Sequence, residues 1–340
     1  MKKAMTILGP VPADQLGHIL THEHILAEVP DWGMTPLYPE LLELKVTIDI
    51  LGKLRRDMWS CKDNLRLDEP KVSRQEVASF KAKGGGTLVD VTTVGLKRNI
   101  RGVAEIARAT GVHVVAGTGF YIRSGHPDYV ARQTADELAN WMIGEIQEGI
   151  EGTGMRAGII GEIGISSPMH SDEEKVLRAA LRAQRATGAP LSIHQWGGQS
   201  LEKIDALVQE EGVSTADVIM CHLTTVSEEQ RFWAAERGYY LGIDSFGNEF
   251  YADALAGKII QDPERIKMVK KLTERGHLRQ ILLSNDLGLK MLQKRYGGWG
   301  YEHILVNIKP FMLRMGLPPK AIDTMLYYNP ARLIAYLDQA

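Results

Sequence analysis

The stretch Gly17-His18-Ile19-Leu20-Thr21-His22-Glu23-His24 reads as a strand with two histidines at its C-terminal end. Side chains two apart along a strand share a face, so His22 and His24 aim two imidazoles at one point while Glu23 turns away. A metal ion is the natural occupant of that point, although two packed histidines would show the same spacing. What decides between them is whether other strands of the chain also end on ligand-type side chains.

The strands recur. Predicted helices 71–83, 98–110, 131–148, 171–187, 200–211, 227–237 and 263–276 alternate with predicted strands 87–92, 112–117, 158–163, 190–194, 217–222, 239–244 and 280–285. Closing helices are expected at 303–316 and 318–338. With residues 18–23 the strand count is eight. The strands are near-continuous apolar runs, the pattern of parallel strands buried on both faces. An α/β fold follows, a (β/α)8 TIM barrel occupying residues 1–340 as one domain. A doubly wound open sheet would alternate in the same way, but no Gly-x-Gly-x-x-Gly follows the first strand. Residues 5–16 suggest a short N-terminal β-hairpin, turned at Gly9-Pro10 and bracing one barrel end. Residues 25–70, with a helical piece over 41–58, form an insertion where barrel enzymes place substrate-facing structure.

The chain of 340 residues is 44% hydrophobic and carries a formal net charge of -2. Such a balance gives no field for nucleic acid or an anionic membrane. No stretch reaches about 18 uncharged apolar residues, so none is expected to span a bilayer. The first residues make a poor signal peptide. Cys61 and Cys221 form no disulfide framework, and Cys221 reads as a buried thiol. A cytoplasmic location is the expectation.

Five of the predicted strands bring ligand-type residues to the same end: the first ends on His22 and His24, the fourth carries Glu162, the fifth ends on His194, the sixth on His222 and the eighth on Asp286. A lone histidine closing a strand is usually only a satisfied polar group. Four histidines and two carboxylates at one end of a barrel exceed the needs of one tetrahedral ion and suit two. Glu162, from a central strand, is the natural bridge. His22, His24 and Asp286 would hold one ion, and His194 and His222 the other. Two ions about 3.5–4 Å apart can share a hydroxide and lower its pKa. Asp286 would take up its proton and pass it to the leaving group. Zinc is expected first, with manganese, cobalt and iron also suited.

The chain resembles the phosphotriesterase family of the amidohydrolase superfamily over nearly its whole length. The likeness lies in Leu8-Gly9-Pro10, Thr21-His22-Glu23-His24, Val89-Asp90-Val91-Thr92, Gly117-Thr118-Gly119-Phe120-Tyr121, Ala157 through Gly164, His194, His222, Asp286, Gly297-Gly298-Trp299-Gly300-Tyr301 and Asn329-Pro330. It implies a binuclear metallohydrolase, often zinc-bound and homodimeric. It also implies His22 and His24 on a buried ion, His194 and His222 on an exposed one, and Asp286 on the buried ion as proton acceptor. The best-known members bridge their ions with a carboxylated lysine, where this chain has Glu162. That departure resembles the phosphotriesterase-related, or phosphotriesterase homology, branch.

The expected reaction is attack of a metal-bridging hydroxide on the carbonyl of a small ester-like substrate, a lactone first. An amidase or deacylase of small N-acyl compounds is the alternative, and a phosphoric ester hydrolase ranks third. Around the centre, Tyr121 is a candidate donor to substrate, Arg123 and Lys290 candidate anion contacts, and Trp196 an apolar wall beside the polar Gln195. His126 lies in the Arg123 loop. One of Asp244, Asn248 and Glu249 is expected to orient a ligand imidazole.

Overall fold

A computed structural model of the chain describes residues 2–30, 32–253 and 259–338. An antiparallel hairpin of β1 (Lys3–Thr6) and β2 (Gly9–Pro12) comes first. It turns at residues 7–8, not at Gly9-Pro10. Gly9, at φ +116°, already pairs with Thr6, whose hydroxyl donates to the Gly9 carbonyl at 2.6 Å. Eight parallel strands follow: β3 (His18–Glu23), β4 (Gly85–Asp90), β5 (His113–Thr118), β6 (Ile159–Ile165), β7 (Leu191–Gln195), β8 (Val218–Met220), β9 (Tyr240–Ile243) and β10 (Ile281–Leu283). Each pairs with the next in sequence. The ring nearly closes between β10 and β3. There the His22 N–H donates to Ser284 Oγ at 2.8 Å, and the Asp286 N–H donates to the His22 carbonyl at 3.1 Å.

The helices are α1 (Leu51–Leu54), α2 (Pro70–Ala82), α3 (Ile100–Thr110), α4 (Asp128–Arg132), α5 (Ala135–Gln147), α6 (Ser171–Thr187), α7 (Leu201–Glu210), α8 (Glu228–Glu236), α9 (Asp262–Glu274), α10 (Lys309–Arg314), α11 (Pro319–Asp323) and α12 (Asn329–Ile334). Strand alternation divides the core in two. Ile19, Val89, Val115, Ile159, Ile219 and Leu282 fill the barrel interior. Their neighbours Leu20, Leu88, Val114, Ile160, Met220 and Leu283 pack outward against the helices. Ala4 and Leu16 from the hairpin segment, with Leu333 and Ile334 from α12, stop the interior at the bottom.

Three predicted helical stretches depart from the expected form. Over 41–58 only α1 is α-helical, because Val46-Thr47-Ile48 is β-branched and Asp63 takes the Val46 N–H at 3.0 Å. The closing helices each contain a π-helical turn, Ile304–Ile308 before α10 and Thr324–Tyr328 before α12. Pro310 and Pro330 stand second in the α-helices that follow. A proline lacks the N–H that would bond four residues back, and the wider turn accommodates that loss.

Candidate metal centre

Two strands carry their ligands on pairing irregularities. In β3, Leu20 faces Leu88 and Glu23 faces Asp90, so three residues advance against two. In β6, Ile160 faces Leu191 and Ile163 faces Ile193, again three against two. An extra residue switches which face the following side chains take. Without it Glu162 would share the outward face of Ile160. With it the carboxylate lies among the histidines. Gly161 permits the approach, since a Cβ there would meet the Ser192 carbonyl oxygen at 2.2 Å. His222 and Asp286 lie just past β8 and β10 with left-handed backbones, at φ +56° and +53°. Such strained positions at non-glycine residues cluster at functional sites.

The structure brings all six candidate ligands together. Glu162 Oε2 lies 3.3 Å from His22 Nε2, 3.0 Å from His194 Nδ1 and 3.8 Å from His222 Nε2, while Oε1 lies 3.3 Å from His24 Nε2. Asp286 Oδ1 lies 3.5 Å from His24 Nε2 and 3.7 Å from His22 Nε2. All six are buried except Asp286, whose side chain is 21% exposed and faces the cavity. Donor atoms of His22, His24 and Asp286 gather within 4.8 Å of one another, as do those of His22, Glu162 and His222.

This donor set fits divalent metal. His22 Nε2 is buried without a hydrogen-bond partner while two carboxylates face it. Burial alone would lower the His24 imidazole, but hydrogen bonds and charge from Asp286 and Glu162 outweigh it and hold it up at about 9. Burial likewise works against ionised Asp286, yet His24, His22 and His222 hold its carboxyl down at about 2. Glu162 is held well below the usual carboxylate range, burial again being outweighed by His22 and the other imidazoles. Two carboxylates and their imidazoles thus draw cationic charge into the cluster, as protons or as metal.

The surrounding contacts fix the ring orientations. His222 Nδ1 lies 2.9 Å from Asp244 Oδ1, and the His222 N–H donates to Asp244 Oδ2 at 2.9 Å. Asp244 is therefore the orienting residue among the three considered. Asn248 Nδ2 reaches the Asp286 carbonyl at 3.5 Å, and Glu249 Oε1 accepts from the Asp262 N–H at 3.3 Å. His24 Nδ1 lies 3.0 Å from Thr92 Oγ1 and His22 Nδ1 lies 3.3 Å from Cys221 Sγ. Glu23 is no bystander. Its buried carboxylate accepts from Ser284 Oγ, the Asn285 N–H and the Leu287 N–H at 2.9, 2.7 and 3.0 Å, on both sides of Asp286.

Above the cluster is a cavity of about 110 Å³, walled by Val29, Trp32, Met58, Leu96, Trp196 and Phe250, among other side chains. Tyr121 joins it with its hydroxyl 3.5 Å from His194 Nε2. Burial, with Glu162 and Asp286 nearby, pushes that phenol well up, so it stays a donor. The two candidate anion contacts lie elsewhere. Arg123 Nε pairs with Asp172 at 3.1 Å, and His126 Nε2 turns back to the Tyr121 carbonyl at 2.7 Å. Lys290 Nζ is buried among Asp63, Asp68 and Glu69 at 3.0, 3.1 and 3.0 Å, tying the 62–69 segment to the loop after β10. Gln195 is buried and donates to the Cys221 carbonyl at 3.0 Å, so it braces rather than walls. The cavity lining includes Arg265 and Trp32, neither of which the sequence singles out. Arg265 reads there as an ordinary charge on a helix, and Trp32 as one aromatic in an irregular stretch.

A family model described as the phosphotriesterase family matches residues 2–334. The N-acetyltaurine hydrolase of Bos taurus is 35% identical over 342 residues, 98% of each chain. A resiniferatoxin-binding protein from Rhodobacter sphaeroides aligns with a TM-score of 0.95 at 36% identity, covering 100% of this chain and 97% of that one. A phosphotriesterase homology protein from Escherichia coli, solved with phosphate in its active site, aligns with a TM-score of 0.78 at 28% identity, over 94% and 99% of the two chains.

Proposed function

The chain belongs to the phosphotriesterase family, and from that premise we propose that it is a metal-dependent hydrolase cleaving the amide bond of a small N-acyl compound. The observation that carries this reading is the full-length likeness to an N-acetyltaurine hydrolase, at 35% identity over 98% of both chains. It favours the amide over the lactone that the sequence put first. His22, His24 and Asp286 would hold one ion and His194 and His222 the other, with Glu162 between them. Bound there, divalent ions polarise the scissile carbonyl and lower the pKa of water.

The chain's own groups supply the rest. The apolar walls, with Trp32, Leu96, Trp196 and Phe250, exclude bulk water and seat the acyl group. Tyr121 keeps its proton and offers the hydroxyl to a substrate oxygen. Asp286 is ionised and the most exposed of the six, so its carboxylate can accept the proton of the attacking water. An amine leaves only when protonated, and Asp286 returns that proton to the nitrogen. Asp244 keeps His222 turned toward the cluster during this exchange.

A substrate panel tests the reading. Protein loaded with zinc, manganese or cobalt is assayed on N-acetyltaurine, N-acetyl amino acids, γ- and δ-lactones and a phosphotriester. The highest kcat/KM is expected on an N-acyl compound. A lactone exceeding every amide by about tenfold or more, a margin of 1.4 kcal/mol in transition-state binding, would return the assignment to a lactonase.

A further inference from the structure

Two wall residues of the cavity carry buried N–H groups without a partner, Trp32 Nε1 and Arg265 Nε. Arg265 is fully buried in the first turn of α9, beside a wall formed by Phe250, Ile259 and Ile260. It is the one lysine or arginine lining the cavity among the described residues. Its Nη1 donates to Asp262 Oδ1 at 2.8 Å and its Nη2 to the Asn248 carbonyl at 3.2 Å. A guanidinium has five N–H groups, so much of the fork is left over. Asp262 is also shared: Oδ1 accepts from the Gly247 N–H at 3.0 Å, and Oδ2 lies 2.7 Å from His303 Nε2. Arginine–carboxylate pairs are frequently bidentate, through two parallel bonds. Here the contact is single, and the Nε edge is free.

We propose that Arg265 is the anion-recognising residue of this cavity, receiving a carboxylate or sulfonate on the amine half of the substrate. The proposal rests on the amide reading above and names the substrate class within it, N-acyl derivatives of amino acids or aminosulfonic acids. A buried N–H without an acceptor, as at Arg265 Nε, is destabilising until a ligand supplies one. The carboxylate paired with Arg265, Asp262, also holds His303, so an anionic acceptor suits the free Nε edge of the guanidinium best. Arg265 lines the same cavity as Glu162 and Asp286, so one substrate can set its anionic group on Arg265 while its acyl carbonyl meets the cluster. That placement presents the acyl carbonyl to Tyr121 and Asp286. The Trp32 N–H offers a further, uncharged donor to the bound substrate.

The test compares two amides of similar size, anionic N-acetyltaurine and neutral N-acetylethanolamine, on the metal-loaded full chain. R265M should lower the ratio of their kcat/KM values by about 10- to 100-fold, the worth of a hydrogen bond to a charged group. The change should fall on KM for the anionic amide, and R265K should recover part of it. An unchanged ratio in a folded R265M, or an equal loss on both amides, overturns the proposal. Should R265M not fold, R265K decides by the same ratio: a several-fold drop supports Arg265, and no drop overturns it. If the native protein cleaves no N-acyl compound, the amide reading fails by itself. Calorimetric titration with 2-aminoethanesulfonate and β-alanine then reads the anion site separately. Saturable binding weakened in R265M or R265K supports the site, and its absence from the native protein overturns it.

Discussion

Four imidazoles converge on Glu162, and this makes it the residue whose chemistry the cluster depends on most. Glu162→Gln keeps the shape and removes the charge, leaving cations with one fewer counter-charge and a poor bridging group. The variant is expected to lose at least one ion per chain and about 100-fold or more in kcat. Atomic absorption on gently purified protein checks the first and steady-state kinetics the second. A residue that merely hydrogen-bonds a ligand imidazole typically costs about 10- to 100-fold while the metal count stays. A variant that still binds two ions would give Glu162 that lesser part. The six ligand-type residues were legible in the sequence because five lie at the ends of apolar runs and Glu162 interrupts one, places where a core has no other use for a polar group. Arg123 and Lys290 misled because chain position beyond a strand does not say which way a loop side chain turns. Asp172 claims one and three carboxylates claim the other.

At the scale of elements, the strands were readable to within a residue or three, but the irregularities that aim them were not. Continuous apolar runs mark β3 through β10, whereas the extra residues at 20–23 and 160–163 have no signature beyond Gly161. The π-helical turns follow from Pro310 and Pro330 only once both are known to stand inside helices. Glu23 shows the same gap. Placing it opposite His22 and His24 was correct, but nothing local reveals that its carboxylate gathers three donors around Asp286 from a strand some 260 residues later. The clamp closes the barrel and aims Asp286 in one contact set. Glu23→Gln replaces one acceptor oxygen by an amide donor facing donors. We expect it to cost about 1–3 kcal/mol in urea unfolding and to lower kcat more than it raises KM, because Asp286 loses its fixed position. Native stability together with native kinetics would show that β10 holds its end without Glu23.

For the molecule as a whole, the cluster is a store of buried charge whose occupant sets the pH dependence of folding. In the metal-free chain His24 is held up at about 9, with burial outweighed by Asp286 and Glu162, and His22 and His222 are also raised well above the ordinary value. A histidine raised on folding contributes stability that is complete below its unfolded value of about 6.5. That contribution is lost as pH rises through about 9. Glu23 adds to the trend, since burial raises it to about 7 and its contribution fades as pH climbs through that value. Asp286 acts only at the acid end, where its contribution is lost as pH falls through about 2. The metal-free protein should therefore lose stability between about pH 6 and 9. Bound ions replace those protons as counter-charge, and their binding releases protons, so metal affinity rises over the same interval. The stability gap between loaded and metal-free protein should widen with pH, by about 1.4 kcal/mol per pH unit for each proton displaced. Thermal unfolding of chelated and reloaded samples at pH 6, 7, 8 and 9 measures it. A gap that stays level or narrows across this range would mean that metal does not occupy the place of those protons.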